Sequence, residues 1–245
     1  MLSPLATELS AGFGAAVALG LAAGAFAYAS RWPSSRLFGE ALVAPRRPGE
    51  LALTFDDGPN PIWTPRLLDV LASHDIRATF FMLGSRAHVQ PALVRRTIAE
   101  GHLIGNHSWS HLDLSLAAAF RVRDELQRCK QTLEEISGVP VKFFRPPFGA
   151  RRPIVLRAAK ELGMTPVLWN AMTSDWKEPS AEKIAAHLQS RIDRLNHHGC
   201  AANIVLHDGS HSDKTANRGP SVAAAGQLIL LYKSTHRFVK LDAWS

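Results

Sequence analysis

From residue 50 onward the chain alternates short, nearly continuous apolar runs with longer stretches whose apolar positions recur at helical spacing. The short runs lie at 51–55, 78–83, 103–106, 143–145, 166–169, 203–206 and 238–241 and read as buried strands. Between them, 63–74, 91–101, 117–137, 153–162, 181–196 and 221–234 read as helices. In the fifth of these, Glu182, Ile184, Leu188 and Ile192 mix polar and apolar positions at helical spacing. About seven β-α units in a row predict an α/β fold with a parallel sheet, most simply closed as a barrel. No internal repeat breaks this alternation.

The N-terminal part follows another pattern. Positions 11–29 are almost wholly apolar or small, rich in Ala and Gly. About 20 such residues can span a bilayer as a helix. Ala-Phe-Ala and Ala-Tyr-Ala within the run resemble signal-peptide cleavage sites, but no Lys or Arg precedes it. A transmembrane or signal-anchor helix is therefore expected over 1–32, a Ser-, Pro- and Arg-containing linker over 33–46, and the remaining domain over 47–245. Glu8 lies before the span, and Arg31, Arg36, Arg46 and Arg47 lie after it. The positive-inside rule would keep the domain cytoplasmic, whereas the catalytic domain is expected to be extracytoplasmic.

Length and composition narrow the classes. A chain of 245 residues suits one large barrel domain. A formal charge of +7 favours anionic surroundings. Basic residues cluster only in pairs such as Arg95-Arg96 and Arg151-Arg152, and no nucleic-acid motif occurs, so no nucleic-acid partner is expected. Cys129 and Cys200 match no zinc or redox spacing and read as core thiols.

The candidate chemistry falls at the strand ends. The first run stops at Asp56-Asp57-Gly58-Pro59, where Gly and Pro force a turn. Two adjacent carboxylates repel, and a metal ion is the economical counter-charge: one acid can ligate it while the other serves as a base. After the third strand, His107 and His111 are four apart, the spacing that places two imidazoles on one face of a helical turn. With one carboxylate they make a two-His, one-acid site with open positions for water and substrate. Arg145 ends the fourth strand, where a buried cation would orient a neighbouring acid. The amide of Phe148, just beyond, is placed to meet an oxyanion. His207 ends the sixth strand before Asp208-Gly209, a position suited to a general acid.

Taken in order, Leu-Thr-Phe-Asp-Asp-Gly-Pro, His-Ser-x-x-His, Arg-Pro-Pro-Phe-Gly, Ser-Asp-Trp and Leu-His-Asp resemble the polysaccharide deacetylase family, the NodB-homology domain of carbohydrate esterase family 4. The likeness covers about 47–245 and leaves out the anchor. It implies a deformed (β/α)7 TIM-like barrel and a hydrolase that removes N-acetyl groups with a divalent metal, zinc foremost, cobalt, nickel or manganese as substitutes. On these positions it implies that Asp57, His107 and His111 bind the metal. Asp56 acts as base, Arg145 holds Asp56, and His207 protonates the departing amine. The Phe148 amide meets the oxyanion, and Trp176 and Leu206 line the acetyl-methyl pocket. The implied partner is an N-acetylated polysaccharide such as peptidoglycan, a chitin-like oligomer or an exopolysaccharide, with the membrane reached through the N-terminal helix and no obligate protein partner.

Two positions depart from the family pattern. Met172 stands where many members carry an acid that tunes the catalytic histidine, so either Asp175 does that work or His207 is less basic. Phe148 replaces a frequent tyrosine. Two rival functions follow from particular features: a deacylase of a lipid-linked sugar at the cytoplasmic face, from the charges flanking the span, and a catalytically inactive carbohydrate-binding member, from Met172.

Overall fold

The computed structural model describes the backbone from residue 4 to residue 245 and the side chains from residue 17. Eight strands, all paired in parallel, form one sheet. They are β1 (Glu50–Gly58), β2 (Thr79–Met82), β3 (Leu103–Asn106), β4 (Phe143–Phe144), β5 (Thr165–Pro166), β6 (Ala171–Met172), β7 (Ala202–His207) and β8 (Arg237–Phe238). The helices are α1 (Pro4–Arg31), α2 (Trp63–Ser73), α3 (Gly84–Val89), α4 (Pro91–Ala99), α5 (Ala119–Ser137), α6 (Pro153–Glu161), α7 (Ala181–His197) and α8 (Gly219–Tyr232). The short α3, directly after β2, was not legible in the apolar pattern.

The strand order is β5-β4-β3-β2-β1-β7-β6, with β8 pairing the first residues of β1. The two outer members are the ends of one segment, 165–172. It pairs with β4 at its start and with β7 at its end, so the ring closes through an irregular strand. Residues 42–45, expected as linker, are stitched into this closure. Leu42 bridges Val167, the Val43 carbonyl accepts from the Asn203 side chain, and the Pro45 carbonyl accepts from the Ala201 amide. The result is the deformed parallel barrel that the alternation predicts.

Strand parity divides the side chains into two layers. On β1, Leu51, Leu53 and Phe55 pack outward against the helices, while Ala52 belongs to the small interior cluster with Phe81, Phe143, Val167, Val239 and Leu241. On β7, Ala202, Ile204 and Leu206 likewise join the helix-facing core. The register pairs Thr54 with Val205 and Asp56 with His207, so the inward positions at the strand tips bring the acid and the histidine side by side. This corrects one expectation: Leu206 is fully buried under the helices, and Val205 takes the place on the cavity wall.

Helix α1 leaves the barrel on one side. Residues 17–28 are exposed all round, and only Ala29 and Ser30 at its end are buried. The buried Arg151 guanidinium fixes that end, donating to the carbonyls of Ser30, Trp32 and Ser35. Among the described residues no helix is long and apolar enough to cross a membrane. The side chains of residues 1–16, the first half of the expected anchor, lie outside the described residues.

Close packing at the strand tips demands glycine. A Cβ on Gly209 would lie 2.1 Å from the Asp57 carbonyl oxygen, a backbone atom that cannot swing away. We expect Gly209→Ala to destabilise the protein by about 1–3 kcal/mol in denaturant unfolding. The control is Gly226→Ala inside α8, where the added methyl meets Val70 Cγ1 at 3.4 Å. It should be neutral or stabilising by up to about 1 kcal/mol.

Candidate active site

At the C-terminal end of β1 the chain turns sharply. Asp57 has φ 71°, Ser108 68°, His111 64° and Phe148 58°. These four left-handed non-glycine residues all stand around one cavity or its loops, each costing about 1–3 kcal/mol that the surrounding bonds must hold. The turn expected to be helical at 107–111 is therefore not a helix. Asn106 Oδ1 accepts from the Ser108 amide at 2.8 Å, Ser108 Oγ accepts from the His111 amide at 3.0 Å, and buried Glu125 accepts from the amide and hydroxyl of Ser110. These side-chain contacts, rather than helical pitch, bring the two imidazoles together.

Asp57 Oδ1 lies 3.5 Å from His107 Nε2 and 3.2 Å from His111 Nε2. It is buried and has no hydrogen-bond partner. His107 Nδ1 sits 2.8 Å from the Arg145 carbonyl oxygen. A carbonyl only accepts, so Nδ1 carries a proton and Nε2 is the nitrogen left to face Asp57. Burial pulls the pKa of His111 down, with Asp57 opposing, which favours the neutral form there too. Burial would raise Asp57, but His107, His111 and His211 together hold its carboxyl well below the usual range. An ionised carboxylate oxygen facing two imidazole nitrogens in a buried site calls for a cation. The three donor atoms lie within 4.8 Å of one another, and their mixed N and O character suits zinc or a similar divalent ion.

Asp56 is held separately. Arg145 Nη1 donates to Asp56 Oδ1 at 2.8 Å and to Thr54 Oγ1 at 2.8 Å, and its Nη2 donates to Asn203 Oδ1 at 3.3 Å. The guanidinium is fully buried and stacks over Phe81 at 4.1 Å. Burial lowers its pKa and the Asp56 charge opposes the loss.

His207 faces Asp56 from β7 and is gripped from behind. Its Nδ1 lies 2.8 Å from Asp175 Oδ1, while its amide and the Ser221 hydroxyl donate to Asp175 Oδ2. Burial depresses the imidazole, but Asp175, by charge and hydrogen bond, with the charges of Asp57 and Asp56, pushes it up to about 9. Met172 only lines the cavity; the acid missing at that position is replaced by Asp175. Neighbouring Asp208, buried and repelled by the same acids, rises to about 7, with the Thr64 hydroxyl donating to it.

These groups meet in one cavity of about 350 Å³. Asp56, Asp57, His107, His111, Phe148, Trp176 and His207 line it; Arg145 lies just outside its lining and Leu206 away from it. Trp169, Met172, Val205, Ser210, His211, Ser212 and Arg218 complete the wall. His211 stands in this wall although no spacing in the sequence relates it to the two motif histidines. Asn60 caps α2, its Oδ1 accepting from the amides of Ile62 and Trp63.

A parallel barrel whose strand tips carry an Asp-His-His cation centre, an arginine-held acid and an aspartate-held histidine is the framework of a hydrolase. A family model described as polysaccharide deacetylase matches residues 44–167. The chain is 40% identical over 144 residues to a peptidoglycan-N-acetylglucosamine deacetylase of Bacillus cereus, covering 59% of this chain and about half (52%) of that relative's length. It is 35% identical to the chitooligosaccharide deacetylase of Sinorhizobium fredii, covering 72% of this chain and 82% of that one. The crystal structure of the Bc1960 peptidoglycan N-acetylglucosamine deacetylase superposes with a TM-score of 0.73 at 34% identity, covering 83% and 91% of the two chains. This chain belongs to the polysaccharide deacetylase family.

The raised His207 pKa has a direction that can be tested. Acting as a general acid, His207 would have to be protonated, so activity is expected to fall as pH climbs through its value near 9. Removing the Asp175 charge takes away the leading upward push. We expect Asp175→Asn to move the alkaline limb of the kcat/KM profile downward by about 1–2 pH units, and an unmoved limb would refute the coupling.

Proposed function

We propose that this protein hydrolyses the N-acetyl group of N-acetylglucosamine units in a polysaccharide, releasing acetate and leaving a free amine. The carrying observation is the orphaned Asp57 Oδ1 facing two imidazoles, with an independently held acid on one side and an independently held histidine on the other. An amide is a weak electrophile with a poor leaving group. A divalent cation held by Asp57, His107 and His111 supplies Lewis acidity, acidifying water toward a pKa of ~7 and polarising the acetamide carbonyl.

The rest is work for side chains. Asp56 takes a proton from the attacking water as its oxygen bonds to the carbonyl carbon. Arg145 keeps Asp56 aimed, since among the described residues the guanidinium has no other acid partner. As the C–N bond breaks, His207 gives its proton to the nitrogen, which departs as a neutral amine. The Phe148 amide is our assignment for the oxyanion contact. Trp176, edge-on to His207 at 5.1 Å, and Val205 flank the space for the acetyl methyl. The cavity has room for little more than one sugar with its acetamide, so neighbouring sugars of a chain lie outside it. The substrates named for the relatives, peptidoglycan and chitooligosaccharides, support this substrate class. The apolar stretch 17–28, exposed on every face, supports attachment of the domain to a membrane through α1.

The full chain, stripped of metal, should release acetate from N-acetylglucosamine oligomers or peptidoglycan only after zinc or cobalt is restored. Asp56→Asn should lower kcat by about 10²–10⁴-fold with metal affinity retained, whereas Asp57→Ala should lose the metal. Zinc binding without acetate from either substrate would overturn the substrate assignment. On fractionation of expressing cells the full chain should pellet with membranes, and a variant with Leu19 and Leu21 changed to Glu should not.

A further inference from the structure

His211 lies in the cavity but belongs to none of the motifs. It stacks face to face on His111, centroids 4.0 Å apart and 8° from parallel, and meets Phe148 edge-on at 5.4 Å. Its Nδ1 stands 3.6 Å from Asp57 Oδ2, the oxygen that the two other imidazoles leave aside. One ring thus touches two of the three candidate ligands from the cavity side.

The placement is not that of a free loop residue. Two positions earlier, Gly209 is pressed against the Asp57 backbone, closer than any side chain allows. Arg218 Nε donates to the Gly209 carbonyl, and Arg86 donates to the Ser210 carbonyl. The start of the loop after β7 is therefore tied to the tip of β1, and His211 inherits that anchoring. Its ring is still more than a third exposed (39%), so it forms the outer wall of the site and does not belong to the core.

A carboxylate with both oxygens free can bind an ion through one or through two of them. Tying one oxygen to a donor selects the single-oxygen mode and keeps a coordination position open for substrate and water. A ring lying flat on His111 also restrains rotation of that ligand. We propose that His211 is a positioning residue that sets Nδ1 against Asp57 Oδ2 as an electrostatic neighbour at 3.6 Å and braces His111, so that Asp57 presents only Oδ1 to the cation. The inference rests on the metal reading of Asp57, His107 and His111.

The test is zinc affinity by chelator competition on the full chain, together with the visible absorption of the cobalt-loaded protein. Three variants separate the contributions. His211→Ala removes both contacts, His211→Phe keeps the stacked ring without the donor, and His211→Asn keeps a donor without the ring. We expect about 10–100-fold weaker zinc binding in the Ala variant and a substantial part of that loss in Phe. The cobalt absorption of both should weaken as Asp57 turns its second oxygen to the ion and the coordination number rises. Asn should recover affinity and spectrum toward wild type. Wild-type affinity in the Ala variant overturns the proposal. So does an Asn variant as weak as Ala, since the imidazole would then bind the ion itself or merely fill space. Absence of zinc binding by the unmodified chain would instead bring down the metal reading beneath it. Thermal unfolding of the metal-free variants, expected unchanged, checks that the fold is intact.

Discussion

Two adjacent carboxylates are buried side by side at the tip of β1. Charges buried so close together raise each other's pKa unless each finds its own positive partner. The fold meets this by splitting them. Asp56 points inward to a fully buried arginine. Asp57, turned by its left-handed backbone, points to a nest of imidazoles. Asp208, with no cationic partner beside it, takes the remaining solution and is pushed toward its neutral form. Three acids brought together at the strand tips thus stand in three different environments: a guanidinium for Asp56, imidazoles for Asp57 and a threonine hydroxyl for Asp208.

The same constraint organises the strand tips. The guanidinium that neutralises Asp56 is threaded across the barrel interior from β4, and its end is met by Thr54 on β1 and Asn203 on β7. Its own backbone carbonyl takes the proton of His107 and so sets which nitrogen of that ring is available. Arg145 therefore reaches both halves of the site: its side chain orients Asp56 and its main chain fixes the tautomer of His107. The acid on the far side repeats the design, with Asp175 receiving the ring, the amide and a serine hydroxyl at once.

Much of this was legible in the sequence because the chemistry is carried by side chains at strand ends, and strand ends are marked by Gly and Pro. Six of the seven expected strands sit in the structure close to their apolar runs. The run 166–169 misled: only its start pairs, and the strand resumes at Ala171 after a break, since both edges of the ring must be reached by one segment. Asp57, His107 and His111 come together as expected, although by side-chain hydrogen bonds within an irregular loop and not by helical spacing. Leu206 was misplaced by one residue, which in a strand means the opposite face. His211 was invisible because its position depends on loop anchoring between distant elements, Gly209 against Asp57 and Arg86 against Ser210, that no local pattern encodes. The exchange of Met172 for Asp175 could be posed from sequence, but only the direction of the Asp175 carboxylate answers it.

The closure of the ring through residues 165–172 carries a consequence for where the molecule yields. The pairings at β5 and β6 are only two residues long, and they are reinforced by strand-like residues 42–45 and by the Asn203 amide, which donates to the carbonyls of Val43 and Leu168. Asn203 also accepts from Arg145. The seam of the barrel and the orientation of Asp56 therefore share one side chain. A breathing motion that unzips the seam would slacken the arginine at the same moment, so a short joint of the scaffold is also a natural rheostat for the acid beside it.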